Sequence, residues 1–453
     1  MRRMLIIGGS DAGISAALRA REIDPSCEVT MIASDRFPNF SICGLPFYLG
    51  GETRDWRLLA HRSVEEIRGA GIRLLLEHLA LAVDPARRAV EVRGPDRSMR
   101  SLEYDELVIA TGAVSARPAI TGLDMPGVFF LRWLQDAFAI ERFLKERNPR
   151  FAVVIGGGYI GLEMAEALTR RGMRVTLVEY APEVLTTFDP ELGSGVRRGL
   201  ESHGVQVKTG TPVSAIEQGE KRLRVIGAQG FSAETDIVIV AAGAAPSSSL
   251  AAAAGCGIGK LGAVRVDRRM RTGVPHIFAA GDCVETWHCL LEINEYLPLG
   301  TTAHKQGRVA GENAAGGDAK YRGSLGTQSV KVFDLVAART GISGKAAKAA
   351  GFDPLTTGLE AWDHKAYYPG ASRMSIRVTG DRRTGKLLGC QILGRSGSEI
   401  SKRVDILAAA IHSGLKIEEI CDLDLSYTPP LSSPWDPVQA ASQQWLNERS
   451  GSK

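Results

Sequence analysis

The sequence predicts an α/β chain, with two units of the doubly wound parallel-sheet type and a smaller α+β unit behind them. Three observations carry this. The stretches "MLIIGGSDAGISAALRARE" and "FAVVIGGGYIGLEMAEALTRRGMRVTLVEYA" share one plan: an apolar β-branched run, then glycines, then an Ala-rich segment of helical period. Other apolar runs, "LVIATGA", "DIVIVAAG" and "HIFAAGDCVE", stop at glycine turns, as strands buried on both faces do. From about Tyr321 the pattern changes. "SVKVFDLVAARTG", "SRMSIRVTG" and "KLLGCQILG" read as strands and "SEISKRVDILAAAIHSGL" as a helix.

At 453 residues the chain is too long for one ordinary core and fits roughly two to four domains. Hydrophobic residues at 44% and charged residues at 23% suit a soluble globular protein. A net charge of +4, without a Lys/Arg block, gives no footprint for a phosphate backbone, so no nucleic-acid partner is expected. The opening "MRRMLIIGGSDAG" meets Asp11 too soon for a signal peptide and reads as a first strand. No apolar run approaches a membrane span, so no membrane partner is expected. Seven cysteines scattered without a framework point to a reducing compartment, and the expected location is cytoplasmic.

In the first unit Gly8 and Gly13 hold the outer glycine places and Ser10 the middle one, with Asp11 following. In the second unit Gly156, Gly158 and Gly161 complete G-x-G-x-x-G between a strand and a helix, with Tyr159 and Ile160 inside the turn. Such glycines permit a tight turn and let a pyrophosphate approach the backbone at a positive helix end. Two turns imply two nucleotides. Glu179 closes "VTLVE" about eighteen residues on, where an acid holds a ribose diol. Its carboxylate would repel a 2'-phosphate, so NADH is favoured, with NADPH as the second option. The run "CVETWHC" holds His288 between Cys283 and Cys289, but its spacing matches no zinc pattern and no metal is expected.

The order of nucleotide turn, ATG, second nucleotide turn and GD resembles that of the FAD-dependent pyridine nucleotide-disulfide oxidoreductases, over nearly the whole chain. The resemblance implies a discontinuous FAD domain at 1–113 and 247–322, an NAD domain inserted at 114–246, and a dimerisation domain at 323–453. It implies flavin-nucleotide contacts at Gly8, Ser10, Asp11, Gly13, Thr111 and Gly112, a ribityl contact at Asp282 beside Gly281, and a cofactor role for Gly243. "YLPLGTTAHKQGRVAGENAAG" resembles the helix whose amino end, here Leu299 and Thr302, faces the flavin pyrimidine, with a dipole favouring negative charge on reduced flavin. The Glu that binds the FAD ribose in the family falls on Ala33, which leaves Ser34 or Asp35 for that contact.

The stretch "NFSICGLPFYLGG" lacks a second nearby cysteine and resembles the single-cysteine branch: coenzyme A-disulfide reductase, NADH oxidase, NADH peroxidase and persulfide reductases. In that branch the cysteine, here Cys43, faces the flavin and cycles through a mixed disulfide or a sulfenic acid. A free thiol, pKa roughly 8.5, is only slightly ionised at neutral pH and needs activation. "GLPFYLGG" is expected to begin a short helix with Pro46 in its first turn, which would set Cys43 at a positive helix end and lower its pKa. Cys27, Cys256, Cys390 and Cys421 are expected to be small buried hydrophobes.

"SYTPPLSSPWDPVQAA" resembles a C-terminal signature of the coenzyme A-disulfide reductases, in which two tyrosines of the partner subunit reach the cysteine. Tyr427 matches one, and Tyr367 or Tyr368 in "HKAYYPG" the other. A phenol there can donate a hydrogen bond to a departing thiolate. The resemblance thus implies a homodimer with a shared active site. NADH would reduce the flavin, and the flavin a disulfide or persulfide formed between Cys43 and a small thiol. Coenzyme A-active members carry a basic residue at the place of Glu22, Ser at Asn39 and Asn at Ile42, so Arg19, Arg21 and Arg62, with Asn39, are the residues left to hold a substrate. The oxidase and peroxidase branch has a histidine where this chain has Asp11, which speaks against efficient peroxide reduction. Two other readings stay open: an NADH oxidase passing through a Cys43 sulfenic acid, and a flavoprotein redox sensor with little turnover.

Overall fold

The computed structural model describes residues 1–451. The first apolar run, Arg3–Ile7, forms the middle of a five-stranded parallel sheet ordered Ile277–Ala279, Glu106–Ile109, Arg3–Ile7, Glu28–Ala33, Ile72–Leu76. Met4, Leu5, Ile6 and Ile7 are all buried, which is why the strand shows no alternation. A second parallel sheet of five strands is ordered Gln206–Lys208, Arg174–Val178, Phe151–Ile155, Ile237–Val240, Val128–Phe130.

The repeat signalled by the glycine turns runs further than the sequence reading traced it. Each unit also carries a three-stranded antiparallel meander: Leu79–Asp84, Ala89–Arg93 and Met99–Glu103 in one, Val213–Gln218, Leu223–Gly227 and Ser232–Thr235 in the other. Between the units the chain travels along an antiparallel ribbon. Ala113–Ser115 leads out and Ala244–Pro246 leads back, with Ala113 opposite Pro246 and Ser115 opposite Ala244.

The helices Asp11–Ile23 and Gly300–Ala314 pack against each other at very close range. A Cβ built on Gly307 would lie 2.2 Å from the Ala12 carbonyl oxygen, and one on Gly311 would lie 2.1 Å from that of Ala16. Small residues on both helices therefore bring the first glycine turn and a segment from late in the chain into one place.

The last unit is an antiparallel sheet ordered Gln328–Val332, Leu335–Gly341, Leu387–Arg395, Arg373–Asp381, Pro354–Trp362. The helices Ile400–His412 and Pro437–Ser450 pack on it. Trp445 is fully buried, and its indole N–H donates to the Leu355 carbonyl at 2.9 Å. The sheet also grips the second nucleotide unit, where Arg377 Nε lies 2.7 Å from Asp189 Oδ2 and the Asp189 N–H donates to Gln391 Oε1 at 2.7 Å. Among the described residues no helix is long and apolar enough to cross a membrane.

Candidate active site

At the first turn Gly8 has φ +122°, and a Cβ there would sit 2.0 Å from the Ala110 carbonyl oxygen; one on Gly13 would sit 2.0 Å from that of Gly8. Ser10 caps the helix Asp11–Ile23 without a side-chain capping bond. The second turn repeats this plan. Gly156 has φ +111°, and a Cβ on Gly161 would lie 1.9 Å from the Gly156 oxygen. Gly158 differs, because nothing lies within 4 Å of its Cβ position. Its missing side chain leaves a cradle at the start of the helix Tyr159–Arg170, which Tyr159 and Ile160 begin. Glu179 is buried beside this turn. Its carboxylate accepts the Gly157 N–H and, at 2.8 Å, the Ala181 N–H. Gly112 (φ +68°) and Gly243 (φ +103°) also face open space. Thr111 Oγ1 donates to the Ser247 carbonyl at 2.6 Å, and the Gly281 N–H donates to Gln306 Oε1 at 2.9 Å. Leu299 is the N-cap residue of the helix Gly300–Ala314, and Thr302 is buried in its first turn.

Cys43 lies in the 3-10 turn Ile42–Gly44, just before the helix Leu45–Leu49, which has Pro46 in its first turn as expected. That helix is fixed to the second nucleotide unit: the Tyr48 hydroxyl donates to Glu141, and Arg171 Nε donates to the Leu49 carbonyl at 2.6 Å. The thiol is free and exposed. The charged groups acting on it are Glu163, Asp11, Arg132 and Asp282, drawn from widely separated segments. The expected lowering of its pKa does not occur. Desolvation by the groups packed behind the sulfur pushes the thiol up, the three carboxylates add to this, and Arg132 opposes. A five-residue helix aligns too few peptide dipoles to offset that burial.

Buried polar atoms without partners gather at the same place. Asn39 Nδ2, Arg132 Nε and the Tyr296 hydroxyl have none, and Asp282 and Arg132 both act on Tyr296 as they do on Cys43. Arg132 Nη2 lies 2.6 Å from Asp282 Oδ2, with the two side chains 13% and 16% exposed. Unpaired buried donors are destabilising. Unpaired donors of this kind, Tyr296 and Arg132 beside Asp282 and Asn39 beside the first glycine turn, fit a flavin nucleotide with its carbonyl and phosphate acceptors. Arg132, Glu163, Tyr296 and His304 were not found from the sequence: Arg132 lies outside every motif, and the other three lie within quoted segments at positions that no motif singles out.

Several expected roles meet competing contacts. Arg19 binds Glu312 at 2.6 Å and Glu22 at 2.8 Å, so its charge is already matched. Asn39 is almost fully buried against the first turn, with its N–H donating to the Gly9 carbonyl at 2.9 Å. Arg62 is exposed and makes no ion pair among the described residues. Asp35 Oδ1 accepts from the Phe37 N–H at 2.9 Å and from Gln135 Nε2 at 2.7 Å, which leaves Ser34, exposed at the strand end, as the freer group. Tyr367, Tyr368 and Tyr427 stand exposed on two loops of the last unit, and the charged groups acting on Cys43 all come from elsewhere. Cys27, Cys256 and Cys390 are buried and Cys421 is half-buried. Among the described residues no group of three or more metal-ligating side chains gathers.

Residues 2–307 match the family model for pyridine nucleotide-disulphide oxidoreductases. The chain belongs to that family. Residues 327–437 of this oxidoreductase match the family's dimerisation domain. Its cofactors are FAD and NAD(P)H. The oxidoreductase is 33% identical over 450 residues to an NADH oxidase of Methanocaldococcus jannaschii, covering 99% of both chains. It is 34% identical over 438 residues to the CoA-dependent NAD(P)H sulfur oxidoreductase of Pyrococcus furiosus, covering 96% of this chain and 97% of that one. The solved NAD-dependent persulfide reductase of A. fulgidus superposes with a TM-score of 0.95 at 36% identity, over 99% of this chain and 84% of that one.

Proposed function

We propose that this oxidoreductase uses NAD(P)H to reduce a low-molecular-weight disulfide or persulfide through Cys43. One observation carries the reading. Cys43 is the one exposed thiol among seven free cysteines, and it sits between two nucleotide turns with no second cysteine in its own turn or helix. With no second cysteine in that turn or helix and the other six buried or half-buried, an outside sulfur completes the disulfide. FAD, when bound, supplies the two-electron link between nicotinamide and sulfur.

The chain's own residues then have definable tasks. Gly8, Ser10, Gly13, Thr111, Gly112 and Gly281 shape the flavin-nucleotide cradle, and Asp282 with Arg132 offers a fixed acceptor and donor inside it. Gly156, Gly158 and Gly161 admit the pyrophosphate of the pyridine nucleotide, with Tyr159, Ile160 and Gly243 at its edge. Glu179 holds the ribose diol and disfavours a 2'-phosphate, so NADH is the preferred donor. Besides Tyr367, Tyr368 and Tyr427, the last unit exposes Trp362, Leu431 and Trp435, large apolar side chains of the kind a second copy covers. Tyr427 and one of Tyr367 and Tyr368 then face the Cys43 of that second copy. The names of the Pyrococcus and A. fulgidus relatives support sulfur chemistry, and that of the Methanocaldococcus relative supports oxygen as a competing acceptor.

An anaerobic NADH titration of wild type and Cys43→Ser tests the reading. Wild type is expected to take up one more electron pair per flavin than the variant. Equal uptake overturns it, and NADH-driven oxygen consumption matching the best sulfur-substrate rate replaces it with the oxidase reading.

A further inference from the structure

The segment that carries Cys43 belongs to neither nucleotide sheet. The turn Ile42–Gly44 runs without a spacer into the helix Leu45–Leu49, so whatever holds that helix holds the sulfur. A helix of five residues is too short to fix itself. Two ties come from the second nucleotide unit, through Tyr48 to Glu141 and through the Leu49 carbonyl to Arg171. A third comes from the last unit. Lys331, on the strand Gln328–Val332, sets its ammonium 5.7 Å from the centroid of the Phe47 ring, one turn beyond Cys43, and 3.3 Å from Oε1 of Glu52. The Glu52 N–H in turn donates to the Phe47 carbonyl at 2.9 Å. The same ammonium lies 2.8 Å from Oε1 of Glu166, on the helix Tyr159–Arg170 that opens at the second nucleotide turn.

We propose that Lys331 is a positioning residue for Cys43, tying the end of the sulfur-bearing helix to the helix of the second nucleotide turn and to the last unit at one point. The proposal rests on the disulfide or persulfide reading above, in which the last unit of a second copy faces Cys43. The sulfur must then be placed relative to the last unit as well as to the pyridine nucleotide, and Lys331 is where the three meet. Packing supports the junction. Leu45 and Leu49 share one apolar core with Leu162 and Ala165 of the nucleotide helix and with Val330 and Val332 of the strand. A Cβ on Gly50 would lie 3.1 Å from the Ala167 Cα, so the end of the sulfur-bearing helix has little room to slide.

The neighbouring groups do not duplicate this tie. Arg170 lies 3.6 Å from Glu166 Oε1 and helps to balance its charge, but it stands on the same helix and pairs with nothing in the sulfur segment. Glu141 and Arg171 both belong to the second nucleotide unit, so their bonds leave the segment without reference to the last one. The Phe333 N–H donates to Glu166 Oε2 at 2.7 Å, which joins the last unit to the nucleotide helix alone. Among the described residues only Lys331 pairs with carboxylates of both segments. When the tie is lost, the twelve-residue helix stays packed on its own sheet and the five-residue helix moves. A misplacement of about 1 Å at a reacting atom costs roughly 100-fold in rate.

The experiment compares Glu52→Gln, Lys331→Met and the double variant with wild type as holoenzymes. Glu52→Gln removes one end of the tie and leaves the buried Glu166 with its cation, so folding is not at stake. Rapid mixing follows NADH reduction of the bound flavin and, separately, reoxidation of the reduced enzyme by coenzyme A disulfide or glutathione persulfide. Glu52→Gln is expected to slow reoxidation about tenfold and Lys331→Met about 100-fold, with flavin reduction and NADH affinity unchanged. The double variant should be no slower than Lys331→Met. Alkylation by iodoacetamide across the pH range reads the thiol itself, since Cys43 is the one exposed cysteine. Its midpoint should fall in Glu52→Gln, because a loosened turn lets water back to a sulfur whose pKa burial has raised; a loss of fold stability alone moves no such midpoint. The proposal is overturned if Glu52→Gln keeps the wild-type reoxidation rate and midpoint, if the two losses multiply in the double variant, or if flavin reduction slows as much as reoxidation. Failure of the underlying reading looks different, since wild type would then reduce neither substrate while the alkylation midpoint still answered to Glu52→Gln.

Discussion

Gly307→Ala sets two opposing effects against each other at the helix seam. Inside an exposed helix, Ala is favoured over Gly by about 0.8–1.0 kcal/mol. Here the added Cβ falls 2.2 Å from the Ala12 carbonyl oxygen and 2.8 Å from the Ala12 carbonyl carbon and Cα. All three atoms are backbone, so no rotamer change relieves the overlap. The helices must separate by more than about 1 Å to regain an ordinary contact of roughly 3.5 Å, which also loosens the Gly311 contact one turn on. Overpacking of this kind costs about 1–3 kcal/mol. With a rigid neighbour the upper end applies, leaving a net loss of about 2 kcal/mol after the propensity gain. Gly69→Ala is the control. Gly69 closes the helix Val64–Gly69 with nothing within 4 Å of its Cβ position, so its substitution should be neutral or stabilising. Urea unfolding at a fixed excess of FAD measures both, because bound cofactor stabilises by mass action. The expected gap between the variants is about 2–3 kcal/mol at unchanged m-value. Two variants agreeing within about 0.5 kcal/mol would show that the seam yields, and the close-packing account would be wrong.

Gly158→Ala should leave the melting temperature and FAD content unchanged while weakening NADH binding about tenfold, or roughly 1.4 kcal/mol; calorimetric titration with NADH checks this. Glu163 carries a pKa raised to about 8, chiefly by desolvation and then by Glu166. A carboxyl raised above its unfolded value of 4.5 gives full stabilisation below that value and loses it as pH climbs through about 8. Glu163→Gln, neutral throughout, should therefore gain on wild type in urea unfolding between about pH 5 and about pH 8, and a constant difference would remove Glu163 from the account. Arg403 is 5% exposed, donates to the Asp363 carbonyl at 2.7 Å and the Leu431 carbonyl at 3.3 Å, and lies 3.4 Å from Asp436. Arg403→Met should lose about 3–5 kcal/mol in thermal unfolding because it leaves Asp436 buried without its cation, and Arg403→Lys should not restore the planar fork.

The glycine turns and buried strands were legible because backbone geometry alone demands them. A side chain at Gly8, Gly13, Gly156 or Gly161 would strike a carbonyl, whatever the rest of the chain does. The helix after Cys43 was legible from Pro46 and the apolar run behind it. The surroundings of Cys43 were not. Glu163, Asp11, Arg132 and Asp282 reach it from four distant segments, and the direction of its pKa depends on how deeply those segments desolvate the sulfur. A local dipole argument omits that depth. The Asp11 to His304 contact spans most of the chain and is created by helix packing, which no short-range pattern encodes. Arg19 looked like a free cation because its partner Glu312 lies 293 residues along the chain and was not visible from it.

The paired strands Ala113–Ser115 and Ala244–Pro246 bear on how such a molecule can be rewired. Departure and return stand side by side, about 5 Å apart, so the whole intervening stretch is covalently joined to its host at a single address. Neighbouring ends of this kind are what tolerated insertions require. The host sheet receives its last strand, Ile277–Ala279, only after the return. An engineer, or evolution, can therefore exchange the intervening module by rejoining two adjacent strands, provided the replacement again supplies what Arg132, Glu141, Glu163 and Arg171 lend to the surroundings of Cys43.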